Sequence, residues 1–102
     1  MKKRMMARVT WVEAKDGGRI GLPTGRTYST VSKFQEEAGD GSGEAWSVIL
    51  EFPTAPATQG NPSTGIVHFL ADEAPQDRLV PGRTFELYEG KRRVATVELL
   101  AG

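Results

Sequence analysis

The sequence contains no cysteine and only one histidine, His68, in 102 residues. The missing thiols exclude disulfide bonds, thiolate zinc sites and cysteine nucleophiles. A Ser-His-Asp relay or a histidine-rich metal site would have to use His68. Because this residue lies within the apolar run of residues 65–71, we interpret it as a hydrogen-bonded structural histidine, with a catalytic base as the alternative.

Long apolar segments are also missing. No stretch reaches the roughly 18 apolar residues that a membrane helix requires. The basic start, residues 1–6, is not followed by the apolar core of a secretory signal. We therefore expect a cytoplasmic protein that does not bind membranes. Residues 1–5 are predicted to form a basic tail, and residues 6–102 a single domain, the usual number at this length.

The chain has no net charge, since 13 basic side chains balance 13 acidic ones. This balance argues against a general nucleic-acid-binding protein, which usually has a strong basic excess. The distribution is nevertheless uneven: residues 1–35 carry eight basic and two acidic side chains, whereas residues 36–78 carry eight acidic and one basic. Either these segments neutralise one another on one surface, or the first and last strands form a basic face and the middle loops an acidic one.

Turn-forming residues are abundant. Twelve glycines and six prolines separate short apolar runs, a pattern typical of an all-β domain. Residues 36–44 are predicted to form a mobile loop, and residues 54–64 a second loop. Helix is limited to one or two turns within residues 72–79, because Pro75 cannot be accommodated in a helix interior.

Six extended segments follow from the apolar patterns: residues 7–13, 27–35, 45–52, 65–71, 83–89 and 92–100. The third alternates strictly, whereas the fourth is predicted to be buried on both faces. The last two are joined by a hairpin at Glu89-Gly90-Lys91. Six strands of this length indicate a small barrel or sandwich.

The predicted core is built around aromatic side chains. Its members are Trp11, Tyr28, Phe34, Trp46, Val48, Leu50, Phe69, Phe85 and Leu87. Among these, Trp46 and Phe85 are expected to be the most deeply buried.

Catalytic motifs are absent from the sequence. No Gly-x-x-x-x-Gly-Lys-Ser/Thr loop is encoded, so a nucleoside triphosphate cannot be held in the usual way. The glycines of residues 39–43 are those of a phosphate loop, but no helix pattern follows them. The sequence therefore predicts a protein that is not an enzyme and has no metal, cofactor or bound nucleoside triphosphate.

Lys91, Arg92 and Arg93 form the densest positive cluster in a predicted folded region. On a tight hairpin such a cluster commonly discourages aggregation between strand edges. Contact with phosphate groups is the alternative interpretation.

Two stretches together carry a resemblance to a known family. The first contains Ala7-Arg8-Val9, Gly17-Gly18-Arg19, Pro23, Gly25 and Tyr28, and the second runs from Leu79 to Ala95. The second is similar to the pattern Phe-x-Ile/Leu-x-Glu-Gly-x-Arg-x-Val-Gly. In order and spacing, residues 6–100 resemble the C-terminal β-barrel domain of elongation factor Tu and its relatives.

This resemblance implies a six-stranded antiparallel barrel of the Greek-key type that binds rather than catalyses. In the family, the domain contacts the T-stem backbone of aminoacyl-tRNA and packs against other domains. The turn arginine is kept as Arg19, and the hairpin Glu-Gly as Glu89-Gly90. Ile20 stands where the bacterial factor has histidine, Ser29-Thr30-Val31 replaces Arg-Pro-Gln, and Ala95 replaces the final glycine.

The expected function is that of a stand-alone, non-catalytic binding module with a protein partner. It would use barrel surface that the family uses for packing between domains. The alternative is weak binding of a tRNA or other RNA backbone, linked to translation. The candidate contact residues for either partner are Arg19, Glu89, Gly90, Lys91, Arg92 and Arg93.

Overall fold

The computed structural model describes residues 3–34 and 45–101, in which six strands form a single sheet. The strands are β1 (Met5–Trp11), β2 (Thr27–Lys33), β3 (Ala45–Glu51), β4 (Ser63–Phe69), β5 (Thr84–Glu89) and β6 (Arg92–Leu99). All neighbouring strands are antiparallel, and the sheet closes on itself in the order β1-β4-β3-β2-β5-β6. The predicted small six-stranded barrel is therefore confirmed.

The strand order follows a Greek-key pattern. Strands β2, β3 and β4 are successive neighbours, but β1 lies beside β4 rather than beside β2. Residues 12–26 must therefore cross one end of the barrel to join β1 to β2. This crossing carries Arg19 to the turn between β5 and β6, although the two lie about 70 residues apart in the chain.

The core is formed by alternate residues that point into the barrel. In β1, Ala7, Val9 and Trp11 are buried, while the residues between them face outwards. Phe34 lies at the centre of the interior, with its ring stacked on Phe85 at a centroid distance of 4.4 Å. This alternation gives the barrel one apolar interior and one outer face.

Most of the predicted core is confirmed. Seven of its members are buried: Trp11, Phe34, Val48, Leu50, Phe69, Phe85 and Leu87. Tyr28 and Trp46 are only partly buried and pack against this cluster. The expectation that Trp46 is among the most buried residues is wrong. It lies near the start of β3, and its indole packs edge-on against Phe69 at 6.4 Å instead of filling the interior.

The prediction that the fourth strand is buried on both faces is also wrong. In β4 the inward residues are fully buried, whereas Thr64, Ile66 and His68 are only partly buried on the outer face. A closed barrel has a single interior, so every second residue of each strand faces outwards. The apolar run therefore places apolar side chains on the outer surface.

Helical structure is short, and two turns in the described part of the chain lie outside the segment predicted to be helical. The first is a 3-10 turn at Ala14–Asp16. The segment predicted as loop at residues 54–64 contains a helix, α1 (Pro56–Gln59), with proline in its first turn, and its last residues begin β4. Within residues 72–79, only Gln76–Arg78 form a 3-10 turn. The predicted mobile loop at residues 36–44 lies outside the described residues.

The described part of the predicted basic tail lies against the barrel. The Lys3 ammonium donates to the carbonyl of Leu79 at 3.0 Å, and Arg4 bonds to Glu51. Met5 already belongs to β1. Among the described residues, no helix is both long and apolar enough to cross a membrane.

Candidate partner-binding surfaces

The predicted contact residues gather around the hairpin between β5 and β6. The strands turn at Gly90 and Lys91, as predicted. Gly90 has a φ of +62°, a conformation that glycine adopts without strain. The register shifts next to the turn, so that Val94 has no residue opposite it in β5. This bulge buries both Val94 and Ala95 and ends the exposed stretch of the hairpin at Arg93.

Arg19, Tyr28 and Glu89 form a bonded group, which we call the hairpin cluster. The Arg19 guanidinium and the Tyr28 hydroxyl both donate hydrogen bonds to the same oxygen, Oε2, of Glu89. The guanidinium lies 5.5 Å from the centre of the Tyr28 ring, and its Nε donates to the Gly21 carbonyl at 3.0 Å. The cluster thus fastens the connection that crosses the barrel end to the hairpin.

The protonation of the hairpin cluster is fixed by its contacts. Burial, followed by the hydrogen bond to Glu89 and its negative charge, raises the pKa of Tyr28 to about 12. Burial favours the neutral form of Glu89, but the hydrogen bonds from Tyr28 and Arg19 and the charge of Arg19 outweigh it and lower the Glu89 pKa. At neutral pH, Glu89 is therefore ionised and Tyr28 carries its proton.

Arg93 is also bonded within the barrel. Its guanidinium donates to Glu86 at 2.8 Å, and Glu86 accepts a second hydrogen bond from the Tyr88 hydroxyl at 3.0 Å. The hydrogen bond to Glu86 and the charge of its carboxylate raise the pKa of Arg93. Of the predicted cationic contacts, Arg19 and Arg93 are thus engaged with carboxylates. Lys91 and Arg92 are exposed and make no side-chain hydrogen bond or ion pair with any described residue.

Ion pairs between strands account for much of the uneven charge. Arg4 pairs with Glu51, and Arg8 with Glu98 at 3.0 Å. Arg19 and Arg93 pair with Glu89 and Glu86. Three of these four pairs join distant parts of the chain, whereas Arg93 and Glu86 lie seven residues apart on one hairpin. The described residues therefore favour mutual neutralisation over separate basic and acidic faces.

Sequence reasoning missed a groove on the outer face of the barrel, which we call the outer groove. It has a volume of about 500 Å³ and mostly apolar walls. Met6 and Ile66 lie opposite each other on β1 and β4, and Phe52 and Pro53 follow β3. The charged lining residues are Arg4, Arg26 and Glu51, and Gln59, Thr64 and Gly65 complete the lining. Met6 is 40% exposed and, with Ile20 and Leu70, is one of three exposed large apolar side chains among the described residues.

The groove forms where β3 and β4 separate. Their pairing ends at Glu51 and Ile66, and the chain between them detours through α1. Gln59 holds this detour in place, because its amide nitrogen donates to the carbonyls of Thr54 and Thr64 at 2.7 and 2.9 Å. Gly65 is required beside it, since a Cβ there would lie 2.6 Å from the Glu51 carbonyl oxygen.

The charges of the outer groove are not balanced internally. Arg4 is bonded to Glu51, and His68 Nε2 lies 3.9 Å from the same carboxylate. Arg26 is exposed and has no side-chain hydrogen bond or ion pair within the described parts of the chain. The groove therefore combines apolar walls with one guanidinium that is available to a ligand.

His68 makes its side-chain contacts within the barrel. Its side chain is only 13% exposed, and Nδ1 lies 3.1 Å from the carbonyl oxygen of Phe69. Within residues 3–34 and 45–101, no three His, Asp or Glu side chains are close enough together to hold a metal ion.

Alternation in β4 is a sequence signal for the face on which Ile66 lies, but not for the groove itself. Once Val67 and Phe69 are assigned to the interior, Ile66 must face outwards.

Comparison of the chain with protein-family models gives no match, and comparison with curated proteins gives none either.

Proposed function

We propose that this barrel is a non-catalytic, cytoplasmic binding module whose partner is a protein. The observation that carries the proposal is the outer groove, with its mostly apolar walls and a volume of about 500 Å³. Grooves of this size accommodate a few side chains of a ligand or partner. Single exposed apolar residues are common on protein surfaces, but here Met6 and Ile66 line one continuous depression.

The hairpin side supports RNA binding less well. Engagement of phosphates by Arg19 or Arg93 would have to compete with Glu89 and Glu86. Weak contact with an RNA backbone is the second candidate, because Lys91 and Arg92 are adjacent, exposed and unpaired among the described residues. Two such contacts give little affinity at physiological salt.

We also propose kinship with the C-terminal barrel of elongation factor Tu. The two resembling stretches lie near opposite ends of the chain, and Arg19 of one is bonded to Glu89 of the other. The closed strand order is consistent with the barrel that this resemblance implies. Surface used for packing between domains in that family would serve a separate partner here.

Capture from native cytosol tests the protein-binding proposal. The barrel is immobilised, the extract is treated with ribonuclease, and retained proteins are quantified by mass spectrometry. Met6→Glu places a charge in the outer groove, whereas Leu70→Glu makes the same change at another exposed apolar position, outside the groove. We expect a partner that Met6→Glu loses and Leu70→Glu retains.

Thermal unfolding of both variants controls for folding, since each side chain is substantially exposed. Equal retention by the two variants would contradict a role for the groove. Capture that disappears on ribonuclease treatment and on Arg92→Glu would make RNA the partner instead.

A further inference from the structure

We infer that the outer groove recognises a peptide segment of the protein partner in which an aliphatic side chain adjoins a carboxylate. This inference rests on the proposed function and adds the chemistry of the segment that is bound. Three observations support it: the groove has apolar walls, the Arg26 guanidinium has no partner among the described residues, and Glu51 is already paired with Arg4.

The walls select an apolar side chain. Met6, Ile66 and Pro53 come from three separated parts of the chain and line the same depression. Insertion of a leucine-sized side chain would remove apolar surface from water on both partners, which is the main favourable term in association. These three side chains carry no formal charge that would have to be desolvated.

The charged residues of the groove determine which charge the ligand can carry next to its apolar side chain. A cationic ligand would need Glu51, but that carboxylate is already bonded to Arg4 and has His68 at 3.9 Å. An anionic ligand meets Arg26, which has no competing partner among the described residues. The arrangement therefore favours a negative group at the Arg26 side and disfavours a positive one.

The groove suits a ligand with a single carboxylate better than it suits a nucleic-acid backbone. Guanidinium and carboxylate are both planar and can form two parallel hydrogen bonds. A nucleic-acid backbone would bring several phosphates to a surface that offers one free cation beside apolar walls. An aliphatic residue next to an aspartate or glutamate supplies both required groups within one short segment.

The test is a titration of the isotope-labelled barrel followed by its amide NMR signals. The probe is the blocked dipeptide acetyl-Leu-Glu-amide, and acetyl-Leu-Gln-amide and acetyl-Leu-Lys-amide serve as controls. We expect saturable shifts at low millimolar concentration, centred on Met6, Thr64 and Ile66. The glutamine peptide should bind about threefold to fivefold more weakly, because an exposed ion pair contributes up to about that factor. The lysine peptide should bind more weakly still.

Variants then assign the charge preference to one residue. Arg26→Gln should remove the preference for glutamate over glutamine and leave weak binding of the leucine. Lys15→Gln is the matched control, since it removes one positive charge from an exposed side chain that does not line the groove. It should keep the full preference.

Three results would overturn the inference: equal binding of the three peptides, an unchanged glutamate preference in Arg26→Gln, or shifts centred on residues 89–93. Failure of the proposed function is a separate outcome. If Met6→Glu abolishes capture of a protein partner while Arg26→Gln leaves both capture and peptide preference unchanged, the groove binds a protein but not through this carboxylate.

Discussion

The hairpin cluster and the outer groove contain similar residues but use them differently. Each brings an arginine and a glutamate together from distant parts of the chain. In the hairpin cluster, both donors converge on Glu89, and no charge is left over. In the outer groove, Arg4 satisfies Glu51 and Arg26 remains available beside apolar walls. We therefore propose that one unpaired charge next to exposed apolar surface is a better sign of recognition here than a dense set of charged residues.

The difference follows from what each region does for the fold. Residues 12–26 cross the barrel end, and the cluster fastens them to the hairpin turn. The outer groove lies where β3 and β4 part, and Gln59 and Gly65 keep its walls in place without help from Arg26. The hairpin cluster thus stabilises the fold, whereas Arg26 has no side-chain partner among the described residues.

The largest predicted effect tests whether both regions depend on one shared core. Phe85 is buried and stacked on Phe34 at 4.4 Å. Phe85→Ala should lower the free energy of unfolding by about 3–5 kcal/mol. Trp46→Ala, at a partly buried position, should cost clearly less. Denaturant unfolding measures both, and an equal loss for the two variants would contradict the assignment of Trp46 to the periphery.

A smaller effect is predicted for the hairpin cluster. Glu89→Ala leaves the Arg19 guanidinium and the Tyr28 hydroxyl without their shared acceptor, at a partly exposed site. We expect a loss of about 1 kcal/mol in denaturant unfolding at neutral pH. The peptide titration of the outer groove should be unchanged. Reduced peptide binding with intact folding would show that the two regions are coupled.

The same variant has a predicted pH dependence. The pKa of Glu89 is lowered in the folded chain, so its stabilising contribution is present above the ordinary value of 4.5 and disappears as the pH falls through the lowered value. The stability difference between the native chain and Glu89→Ala should therefore shrink in acid. A difference that stays constant over this range would contradict the ionised state assigned to Glu89.

Alkaline unfolding tests the tyrosine of the cluster. In the unfolded chain a tyrosine ionises near pH 10, whereas the folded-state pKa of Tyr28 is about 12. The folded chain is therefore stabilised by Tyr28 below pH 10, and this contribution is lost as the pH rises towards 12. Thermal unfolding temperatures should fall less over this interval for Tyr28→Phe than for the native chain. Parallel curves would contradict the raised pKa that burial and Glu89 give Tyr28.

The smallest predicted effect concerns RNA. With only Lys91 and Arg92 unpaired at the hairpin, tRNA affinity should be weaker than micromolar at physiological salt. It should fall roughly tenfold between about 50 and 200 mM salt, as expected for two phosphate contacts. Fluorescence anisotropy with labelled tRNA measures this slope. Submicromolar binding that is lost in Arg92→Glu would reverse the ranking of the two regions.

Features set by local patterns could be predicted from the sequence. Alternation placed Val48 and Leu50 in the interior, and the Glu-Gly pair located the hairpin. Features that depend on closure of the sheet into a barrel could not be predicted from the sequence. The apolar run of β4 reads as doubly buried until the sheet is known to close, which places Ile66 on the outside.

The candidate site shows the same limit. The sequence identified Arg19 and Arg93 as cations, but their partners Glu89 and Glu86 are set by the crossing connection and by the hairpin register. No sequence pattern singles out Arg26, because the groove residues Met6 and Ile66 are about 20 and 40 residues away in the chain. Which charges remain unpaired is a property of the assembled barrel.

Site-specific photo-crosslinking in cells tests the central claim most directly. One barrel carries a photoreactive amino acid in place of Met6, in the outer groove, and a second carries it in place of Lys91, at the hairpin tip. We expect a discrete protein adduct from position 6 and none from position 91. A protein or RNA adduct from position 91, with none from position 6, would contradict it.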